Sequence, residues 1–255
     1  MTRWENRDLS YSARPDSTMI GGSEVHVWRF SLDPPAETIA RLEALLSDDE
    51  RRRADRFRGP SLRPRYVAGR GSLRRLLASY TGCPPESLVF AYGPHGKPAL
   101  ADGLPRIEFN LSHSHGLALC ALASVGPIGV DVEQVRPMED NGRKLIGRFF
   151  SVVEQAEFLN LPVTEHLAAF FRGWTRKEAF LKAVGTGLAT VLDSFDVTLG
   201  PVVPAALLSQ VNDPDAPARW SLLDVDPGAG YAAALAVESR GQPLQVVCRD
   251  YSPCD

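Results

Sequence analysis

The chain of 255 residues is 44% hydrophobic and 23% charged, the composition of an ordinary globular protein that can bury a substantial core. Its formal net charge of −3 excludes nucleic-acid or membrane binding driven by an overall positive charge. The polar start of the chain, the lack of any run near the ~20 apolar residues of a membrane span, and four cysteines without a CxxC pair predict a reduced cytoplasmic protein with no nucleic-acid or membrane partner.

The first part of the chain predicts an arm, a strand and a helix. Residues 1–22 are polar and end in two glycines, so we expect a weakly structured N-terminal arm. Residues 24–32 alternate between apolar and polar side chains, which predicts a strand. Ser47, followed by Glu50, has the pattern of a capping box and predicts a helix that continues to about residue 57.

Helices and strands continue through the rest of the chain. Apolar spacing over residues 65–80 predicts a helix that stops at Gly82. Apolar stretches bounded by glycine and proline predict strands over residues 88–92, 107–111, 117–125 and 128–135. The remaining predicted elements are a helix opened by a capping box at Ser151 and Glu154, a long helix over residues 167–184, and several strands within residues 194–247.

The order of the elements is repeated along the chain. A single offset of 104 residues aligns both capping boxes, a glycine and the long helices. The matched residues are Ser47 with Ser151, Glu50 with Glu154, Gly69 with Gly173 and Arg74 with Glu178. Self-similarity at a fixed offset indicates a duplicated unit. We therefore predict an α+β pseudo-dimer of halves 23–125 and 126–255 that works as a monomer, with a ligand site between the halves.

Two carboxylates are predicted to lie side by side on the strand over residues 128–135. Asp131 and Glu133 are two residues apart, so their side chains point to the same face of a strand. Like charges this close raise each other's pKa unless a cation lies between them, and a hard divalent cation such as Mg²⁺ suits carboxylate oxygens. The alternative is a pair of hydrated acids on an edge strand.

The long helix over residues 167–184 carries a glutamate and a lysine on one face. Trp174, Glu178 and Lys182 follow each other at a spacing of four residues, so they share a helical face. Glu178 is a candidate third metal ligand, and Lys182 a candidate contact for a phosphate that the metal bridges. The alternative is an ordinary ion pair on the helix surface.

Three further segments carry polar groups suited to an anion. Residues 110–116 (NLSHSHG) bring hydroxyl and imidazole groups to a strand end, and residues 92–98 (YGPHGKP) fix Lys97 in a turn. Arginines concentrate over residues 51–75, and their guanidinium groups bind phosphate in a bidentate manner. The alternatives are structural histidines, an ordinary hairpin loop and a hydrated helix face.

Taken together, these segments resemble the phosphopantetheinyl transferases of the large, Sfp-like type. The matching segments, in the order of that family, are residues 96–98 (GKP), 109–114 (FNLSHS), 128–133 (IGVDVE), 148–151 (RFFS) with Glu154, and 174–182 (WTRKEAFLK) before Gly185 and Gly187. The matches span about residues 47 to 190, and it is their common order and spacing that makes the resemblance specific.

The resemblance implies a pseudo-dimeric α+β fold with coenzyme A in the cleft between the halves. It implies that Mg²⁺ is held by Asp131, Glu133 and Glu178. It also implies a set of residues at the phosphates of coenzyme A: Arg58, Arg74, Lys97, Ser112, His113 and Lys182. The partner would be an apo acyl or peptidyl carrier protein, and residues 136–148, with Arg143, Lys144, Leu145 and Ile146, are the expected docking surface for it.

The implied reaction transfers 4′-phosphopantetheine from coenzyme A to a carrier-protein serine and releases adenosine 3′,5′-bisphosphate. Lys182 would assist at the phosphate, and either Glu178 or Glu154 would take the serine proton. Two other functions use the same residues: a magnesium-dependent nucleotide phosphohydrolase with water as nucleophile, and a non-catalytic module that binds coenzyme A or a carrier protein.

Overall fold

Two β-sheets organise the computed structural model, which describes residues 4–6, 20–187 and 191–254. In chain order, strands β1 to β12 comprise Trp4–Asn6, Glu24–Ser31, Phe90–Tyr92, Pro98–Leu100, Glu108–Ser114, Leu117–Ala123, Ile128–Gln134, Phe195–Val197, Leu207–Gln210, Ser221–Val225, Tyr231–Val237 and Gln245–Asp250. Helices α1 to α7 comprise Ala36–Ala44, Asp48–Ala54, Leu62–Thr81, Arg143–Phe149, Val152–Asn160, His166–Val184 and Ala216–Arg219. The larger sheet has the order β1-β12-β2-β6-β5 and the smaller sheet the order β10-β11-β7. The α+β class predicted from the sequence is confirmed.

The larger sheet packs against α1 and α3. Apolar side chains of both helices share one buried cluster with Trp28 and Phe30 of β2 and Phe109 of β5. The capping box predicted at Ser47 opens α2, and α3 ends at Gly82, whose left-handed backbone suits glycine because it has no Cβ. This half therefore builds a core of its own.

The smaller sheet packs against α6. Phe158 of α5 and Phe180 of α6 belong to a second buried cluster, together with Phe195 of β8. The predicted capping box at Ser151 opens α5, and α6 ends at Gly185 in the same left-handed conformation as Gly82. The two long helices thus end by the same local mechanism in both parts of the molecule.

The two sheets meet through a third apolar cluster. Val25 of β2 and Leu119 of β6 are buried with Val130 of β7 and Leu235 of β11. On its other side, β7 lies against α6, and a Cβ atom at Gly129 would collide with the backbone of Ala179 and Ala183 in that helix. Glycine at position 129 therefore lets α6 approach the strand that carries the predicted carboxylates.

Most of the elements predicted from sequence are confirmed. The predicted strand over residues 24–32 is β2, and the strand over 128–135 is β7. The predicted helices over 65–80 and 167–184 are α3 and α6, each slightly longer than expected. The predicted strand over residues 107–111 is also longer, because β5 continues to Ser114 through the polar sequence SHS. Helices α1 and α4 were not predicted.

The chain termini differ from the predicted organisation. Strand β12 lies in the larger sheet, where it pairs in parallel with β2, so the last strand leaves the predicted half 126–255 and completes the sheet of the first half. Trp4–Asn6 pairs in parallel with β12, so the predicted arm contributes a short strand. Residues 1–3 and 7–19 of that arm lie outside the described residues. Both pairings join distant parts of the chain, and local sequence patterns do not report such pairings.

Across the parts of the chain that the structure describes, no helix combines the length and the apolar character that crossing a membrane requires.

Candidate active site at the junction of the two sheets

Strand β7 holds a buried carboxylate at the centre of the junction. Asp131 is 3% exposed, and its Oδ1 accepts hydrogen bonds from Ser112 Oγ at 2.9 Å and from Lys182 Nζ at 2.5 Å. Its Oδ2 is also buried, and among the described residues it has no hydrogen-bond partner. A buried carboxylate oxygen without a partner is energetically costly, and a bound cation would remove that cost.

Helix α6 brings Glu178 and Lys182 to this strand. Lys182 Nζ bridges Asp131 Oδ1 and, at 2.8 Å, Ser112 Oγ. Burial raises the pKa of Glu178, and the negative charges of Asp131 and Glu133 raise it further, although Lys182 partly offsets them. The contributions of Asp131 and Glu133 to this shift are repulsions between negative charges, so positive charge is favoured near Glu178.

The donor atoms suit a hard divalent cation, but they are not assembled around one. Within the described ranges, no three His, Cys, Asp or Glu side chains are gathered in a geometry that could hold a metal ion. The available donors are carboxylate oxygens, which Mg²⁺ prefers, and one of them is the unpartnered Asp131 Oδ2. The residues therefore fit Mg²⁺ in charge and donor type, and the side chains would have to converge for binding.

Two adjoining cavities open at this junction. One has a volume of about 320 Å³ and includes Glu178, Lys182 and Lys97 in its walls. The other has a volume of about 270 Å³ and includes three arginines and a histidine: Arg53, Arg65, Arg70 and His113. Both cavities share Asn110 and Leu111 as a wall, so a single extended ligand can occupy the two.

The second cavity is strongly basic. Arg65 forms a bidentate ion pair with Asp33, at 2.7 and 2.8 Å, and Arg70 donates to Glu50 and to Tyr92 Oη. Burial lowers the pKa of His113, and the positive charge of nearby Lys182 lowers it further. The His113 ring is therefore neutral at pH 7, while the arginines supply the positive charge that would hold an anion.

Lys97 connects the two parts of the molecule. Its Nζ donates to the carbonyl oxygen of Ile128, at the start of β7, at 3.0 Å, and to that of Ala183, near the end of α6, at 2.8 Å. Burial lowers the pKa of Lys97. The residue lines the first cavity, as expected for a phosphate contact, and in this structure it also fixes α6 against β7.

Arg74 is enclosed, contrary to its expected position in the cleft. It is 2% exposed, and its guanidinium donates to Glu50 at 2.7 Å and to the carbonyl oxygens of Pro85 and Leu88 at 2.7 and 3.0 Å. These contacts favour a structural role, so we replace Arg74 by Arg65 and Arg70 in the candidate phosphate-binding set. Arg58 is exposed between α2 and α3 and does not line either cavity.

Glu154 is enclosed as well. It is 1% exposed, its carboxylate accepts from the backbone N–H groups of Ser151 and Val197 at 2.9 and 2.8 Å, and Lys177 Nζ lies 2.8 Å away. Of the two candidate bases, Glu178 lines a cavity, whereas Glu154 is held inside the second half. The geometry assigns Glu154 to the structure of the helix start and favours Glu178 at the site.

The sequence did not single out Arg65, Arg70 or Ser114. Tyr66, Gly69, Arg70 and Leu73 all line the basic cavity, and their spacing of three and four residues places them on one face of α3. This spacing could have indicated from the sequence that Arg70 faces a cavity. Arg65, four residues before Gly69, lies on the same face, and Ser114 lies in the polar segment 110–116, but their contacts with Asp33 and Glu133 depend on tertiary structure.

The apolar members of the expected docking surface are not all accessible at the protein surface. Arg143 and Lys144 are exposed on α4, but Ile146 is 3% exposed and Leu145 packs against the second core cluster. Ile146 therefore cannot enter a groove of a partner protein, since it already contributes to the core of this chain.

Fold and site together define an α+β protein in which carboxylates, lysines and arginines lie at the junction of two sheets. Residues 127–236 match the model of the 4′-phosphopantetheinyl transferase superfamily. The chain is 42% identical over 230 residues to 4′-phosphopantetheinyl transferase HetI of Nostoc sp. (strain PCC 7120 / SAG 25.82 / UTEX 2576), covering 89% of this chain and 93% of the relative. It is 30% identical over 200 residues to 4′-phosphopantetheinyl transferase Sfp of Bacillus subtilis (strain 168), covering 78% and 86%. The chain belongs to the 4′-phosphopantetheinyl transferase family, which confirms the resemblance found in the sequence.

Proposed function

We propose that this chain transfers the 4′-phosphopantetheine moiety of coenzyme A to a serine of an apo acyl or peptidyl carrier protein. The observation that carries the proposal is the shared wall between a cavity lined by arginines and a cavity lined by Glu178 and two lysines. Coenzyme A suits this arrangement, because its 3′-phosphate and its 5′-diphosphate supply separate anionic groups for the arginines of one cavity and the lysines of the other.

The phosphates of coenzyme A would contact both cavities. Arg53, Arg65 and Arg70 are proposed to hold the nucleotide end, with His113 as a neutral hydrogen-bonding neighbour. Lys182, which already lies between the carboxylates and the open cavity, is proposed to contact the diphosphate, with Ser112 close by.

Asp131, Glu133 and Glu178 are proposed to hold Mg²⁺. The unpartnered Oδ2 of Asp131 and the raised pKa of Glu178 support this assignment, because both indicate an excess of carboxylate oxygen at the site. When bound, the ion would neutralise diphosphate oxygens as negative charge develops on the leaving group. Lys182, on the opposite side of Asp131, would supply a second positive charge from the protein.

The reaction is a phosphoryl-type displacement in which the protein positions and neutralises its substrates. The serine oxygen of the carrier protein forms a bond with the β-phosphorus. The bond from that phosphorus to the oxygen bridging to the α-phosphate breaks, and adenosine 3′,5′-bisphosphate leaves with the bridging oxygen. We assign the serine proton to Glu178, since Glu178 lines the cavity and Glu154 is enclosed.

We also propose that the enzyme works as a monomer in the cytoplasm, where coenzyme A and carrier proteins are present. Both walls of the proposed site come from one chain, β5 and α3 on one side and α6 on the other. A second subunit would therefore add nothing that the site lacks, and light scattering at micromolar concentration is expected to give the mass of one chain.

Incubation with coenzyme A, Mg²⁺ and a panel of apo-carrier proteins tests the proposed function directly. Intact mass spectrometry is expected to show carriers that gain one phosphopantetheine group, and excess EDTA is expected to prevent the gain. Adenosine 3′,5′-bisphosphate released without any carrier protein would instead identify a phosphohydrolase. Binding of coenzyme A without turnover on any carrier would identify a non-catalytic module.

A further inference from the structure

Strand β7 pairs with another strand along only one of its edges in the described structure. It pairs in antiparallel fashion with β11, and its other edge faces β5 of the larger sheet without a backbone ladder. Backbone N–H and C=O groups of alternate residues point to opposite edges of a strand. The N–H and C=O groups of residues 128, 130, 132 and 134 point away from β11. They therefore need other partners at the junction of the sheets.

Side chains supply these partners in a regular series. The N–H groups of Val130, Val132 and Gln134 donate to three alternate side chains of β5: Asn110 Oδ1 at 2.9 Å, Ser112 Oγ at 3.3 Å and Ser114 Oγ at 3.1 Å. The carbonyl oxygen of Ile128, at the start of the same edge, accepts from Lys97 Nζ. Short polar side chains thus take the place of a missing strand, and they join the two sheets.

The two serines of this series also bind the carboxylates. Ser112 Oγ donates to Asp131 Oδ1 at 2.9 Å, and Ser114 Oγ donates to Glu133 Oε2 at 2.7 Å. A hydroxyl group has one hydrogen to donate and lone pairs to accept, so it can receive a backbone N–H and still donate to a carboxylate. The amide groups of β7 therefore fix the position of each serine oxygen, and each serine fixes one carboxylate oxygen.

We infer that Ser114 is a positioning residue for Glu133, and that it also closes the open edge of β7. The inference rests on the proposed function in one respect, namely that Glu133 serves as a metal ligand. Ser112 has the same role at Asp131, but it also contacts Lys182. Among the described residues Ser114 has no such second role, so its effect on a carboxylate can be measured separately. Ser114 is 7% exposed, and its Oγ donates to Glu133 and accepts from the N–H of Gln134.

Three variants separate positioning from simple packing. Ser114→Ala removes the hydroxyl group, whereas Ser114→Thr keeps it on a side chain suited to a strand. Ser221→Ala is the matched control, because Ser221 lies on β10 of the same small sheet and bonds Ser239 at 2.7 Å, away from the carboxylates. Ser114→Ala loses two hydrogen bonds between chain segments and Ser221→Ala loses one, so the melting temperature is expected to fall by about 4–8 °C in the first variant and by about 2–4 °C in the second.

The deciding measurement is Mn²⁺ binding by electron paramagnetic resonance, with coenzyme A present at saturating concentration. Removal of a residue that orients a metal ligand weakens metal binding about 10-fold or more. Ser114→Ala is therefore expected to raise the dissociation constant for Mn²⁺ about 10-fold, and Ser114→Thr and Ser221→Ala are expected to match the wild type. Amide hydrogen exchange at Gln134 should accelerate in Ser114→Ala alone.

The outcomes distinguish the inference from the proposed function. If wild-type protein binds Mn²⁺ and Ser114→Ala binds it equally well, Ser114 does not position Glu133 and the inference is wrong. If Ser221→Ala weakens Mn²⁺ binding as much as Ser114→Ala, the effect is one of general stability and the inference is also overturned. If the wild type itself binds no Mn²⁺, the proposed metal site fails, and the role of Ser114 at a metal ligand fails with it.

Discussion

In both parts of the molecule a helix begins with a capping box, but the pKa of the capping glutamate shifts in opposite directions. Glu50 and Glu154 each complete a capping box and each binds a buried cation from the following long helix. Burial disfavours the charge of Glu50, but the hydrogen bond from Arg74 and the charge of Arg70 outweigh it, so the pKa of Glu50 is lowered. Burial raises the pKa of Glu154, and its cation only partly offsets this.

The difference follows from the number and kind of cations. Glu50 receives two guanidinium groups, which stay charged when buried. Glu154 receives the single ammonium group of Lys177, whose own pKa burial lowers, and that group also donates to the carbonyl oxygens of Leu192 and Phe195. A shared local motif thus opens α2 and α5 alike, while the tertiary partner decides whether the pKa of the capping glutamate is lowered or raised.

We propose that the two regions are copies of one unit that have acquired different tasks. Their long helices both end at a left-handed glycine, Gly82 and Gly185, which are 103 residues apart, one fewer than the offset of the capping boxes. The one-residue difference pairs Arg74 with Lys177 instead of Glu178, which corrects the alignment expected from the sequence. In the first copy the long helix lines the basic cavity, and in the second it carries Glu178 and Lys182.

The largest expected effect comes from variants that break the two buried ion pairs. Glu50→Gln leaves two arginines without a counter-charge and is expected to cost about 3–5 kcal/mol of unfolding free energy. Glu154→Gln leaves a lysine that can lose its proton, so its cost is expected to be about 1–3 kcal/mol. Chemical denaturation measures both values. Neither change is expected to alter kcat more than about twofold in protein that remains folded, whereas a catalytic base at Glu154 would show a loss of about 100-fold.

The pH dependence of the stability lost in Glu50→Gln and Glu154→Gln tests the same comparison. A lowered pKa in the folded state means that Glu50 adds stability above its ordinary pKa of 4.5 and that this stability is lost as the pH falls. A raised pKa means that Glu154 adds stability below 4.5 and that this part is lost as the pH rises. Between pH 4 and pH 7 the cost of Glu50→Gln should therefore grow and that of Glu154→Gln should shrink. Costs that change in the same direction would contradict the assigned shifts.

The next effect tests whether the second copy alone holds the reactive carboxylates. Asp131→Asn keeps an oxygen for Ser112 but removes the charge, and it is expected to lower kcat by about 10²–10³-fold with a cooperative thermal transition retained. The matched control is Asp224→Asn, since Asp224 pairs with Arg176 on the same side of the molecule, outside the two cavities. That variant should lose stability and keep its kcat. Equal losses of kcat in both would point to a fold defect instead of a lost metal ligand.

The sequence predicted what local chemistry determines. Capping boxes and the glycines that end helices act within a few residues, so the starts of α2 and α5 and the ends of α3 and α6 were correct. Asp131 and Glu133 could be placed on one strand because the two-residue period of a strand is local as well. The four-residue spacing of a helix singled out Glu178 and Lys182 in the same way, and both line a cavity at the junction of the sheets.

Tertiary pairing explains what the sequence did not predict. Arg74 looked available for phosphate because nothing in its neighbourhood reveals that Glu50, 24 residues away, neutralises it. Residues 112–114 lacked an apolar alternation, since the serines of this strand bond with β7 instead of packing in a core. The parallel pairing of β12 with β2 joins positions about 220 residues apart, beyond the reach of any local pattern.

A smaller effect concerns how closely each long helix is packed. A Cβ atom at Gly129 would meet the backbone of α6, and one at Gly71 would meet Leu42 of α1. Each alanine variant is expected to cost about 1–3 kcal/mol. Only Gly129→Ala displaces Lys182 from Asp131, so it alone should also lower kcat, by about 10-fold or more. Gly147→Ala, with open space at its Cβ, is the control and should keep both stability and activity. An unchanged kcat in Gly129→Ala would show that the approach of α6 is not required at the site.

The smallest effect tests which arginine of the first copy faces the nucleotide. Arg65 lines the basic cavity and is held by Asp33, whereas Arg58 is exposed outside it. Arg65→Ala is expected to raise KM for coenzyme A about 10-fold, or about 1.4 kcal/mol, with kcat nearly unchanged, because it removes a contact that substrate and transition state share. Its stability should change little, since Asp33 is hydrated at the surface and an exposed pair contributes at most about 1 kcal/mol. Arg58→Ala should leave KM at the wild-type value, and added salt should weaken coenzyme A binding in the wild type more than in Arg65→Ala. If Arg58→Ala raises KM as much as Arg65→Ala does, the nucleotide end contacts the segment between α2 and α3, and the basic cavity is not its binding site.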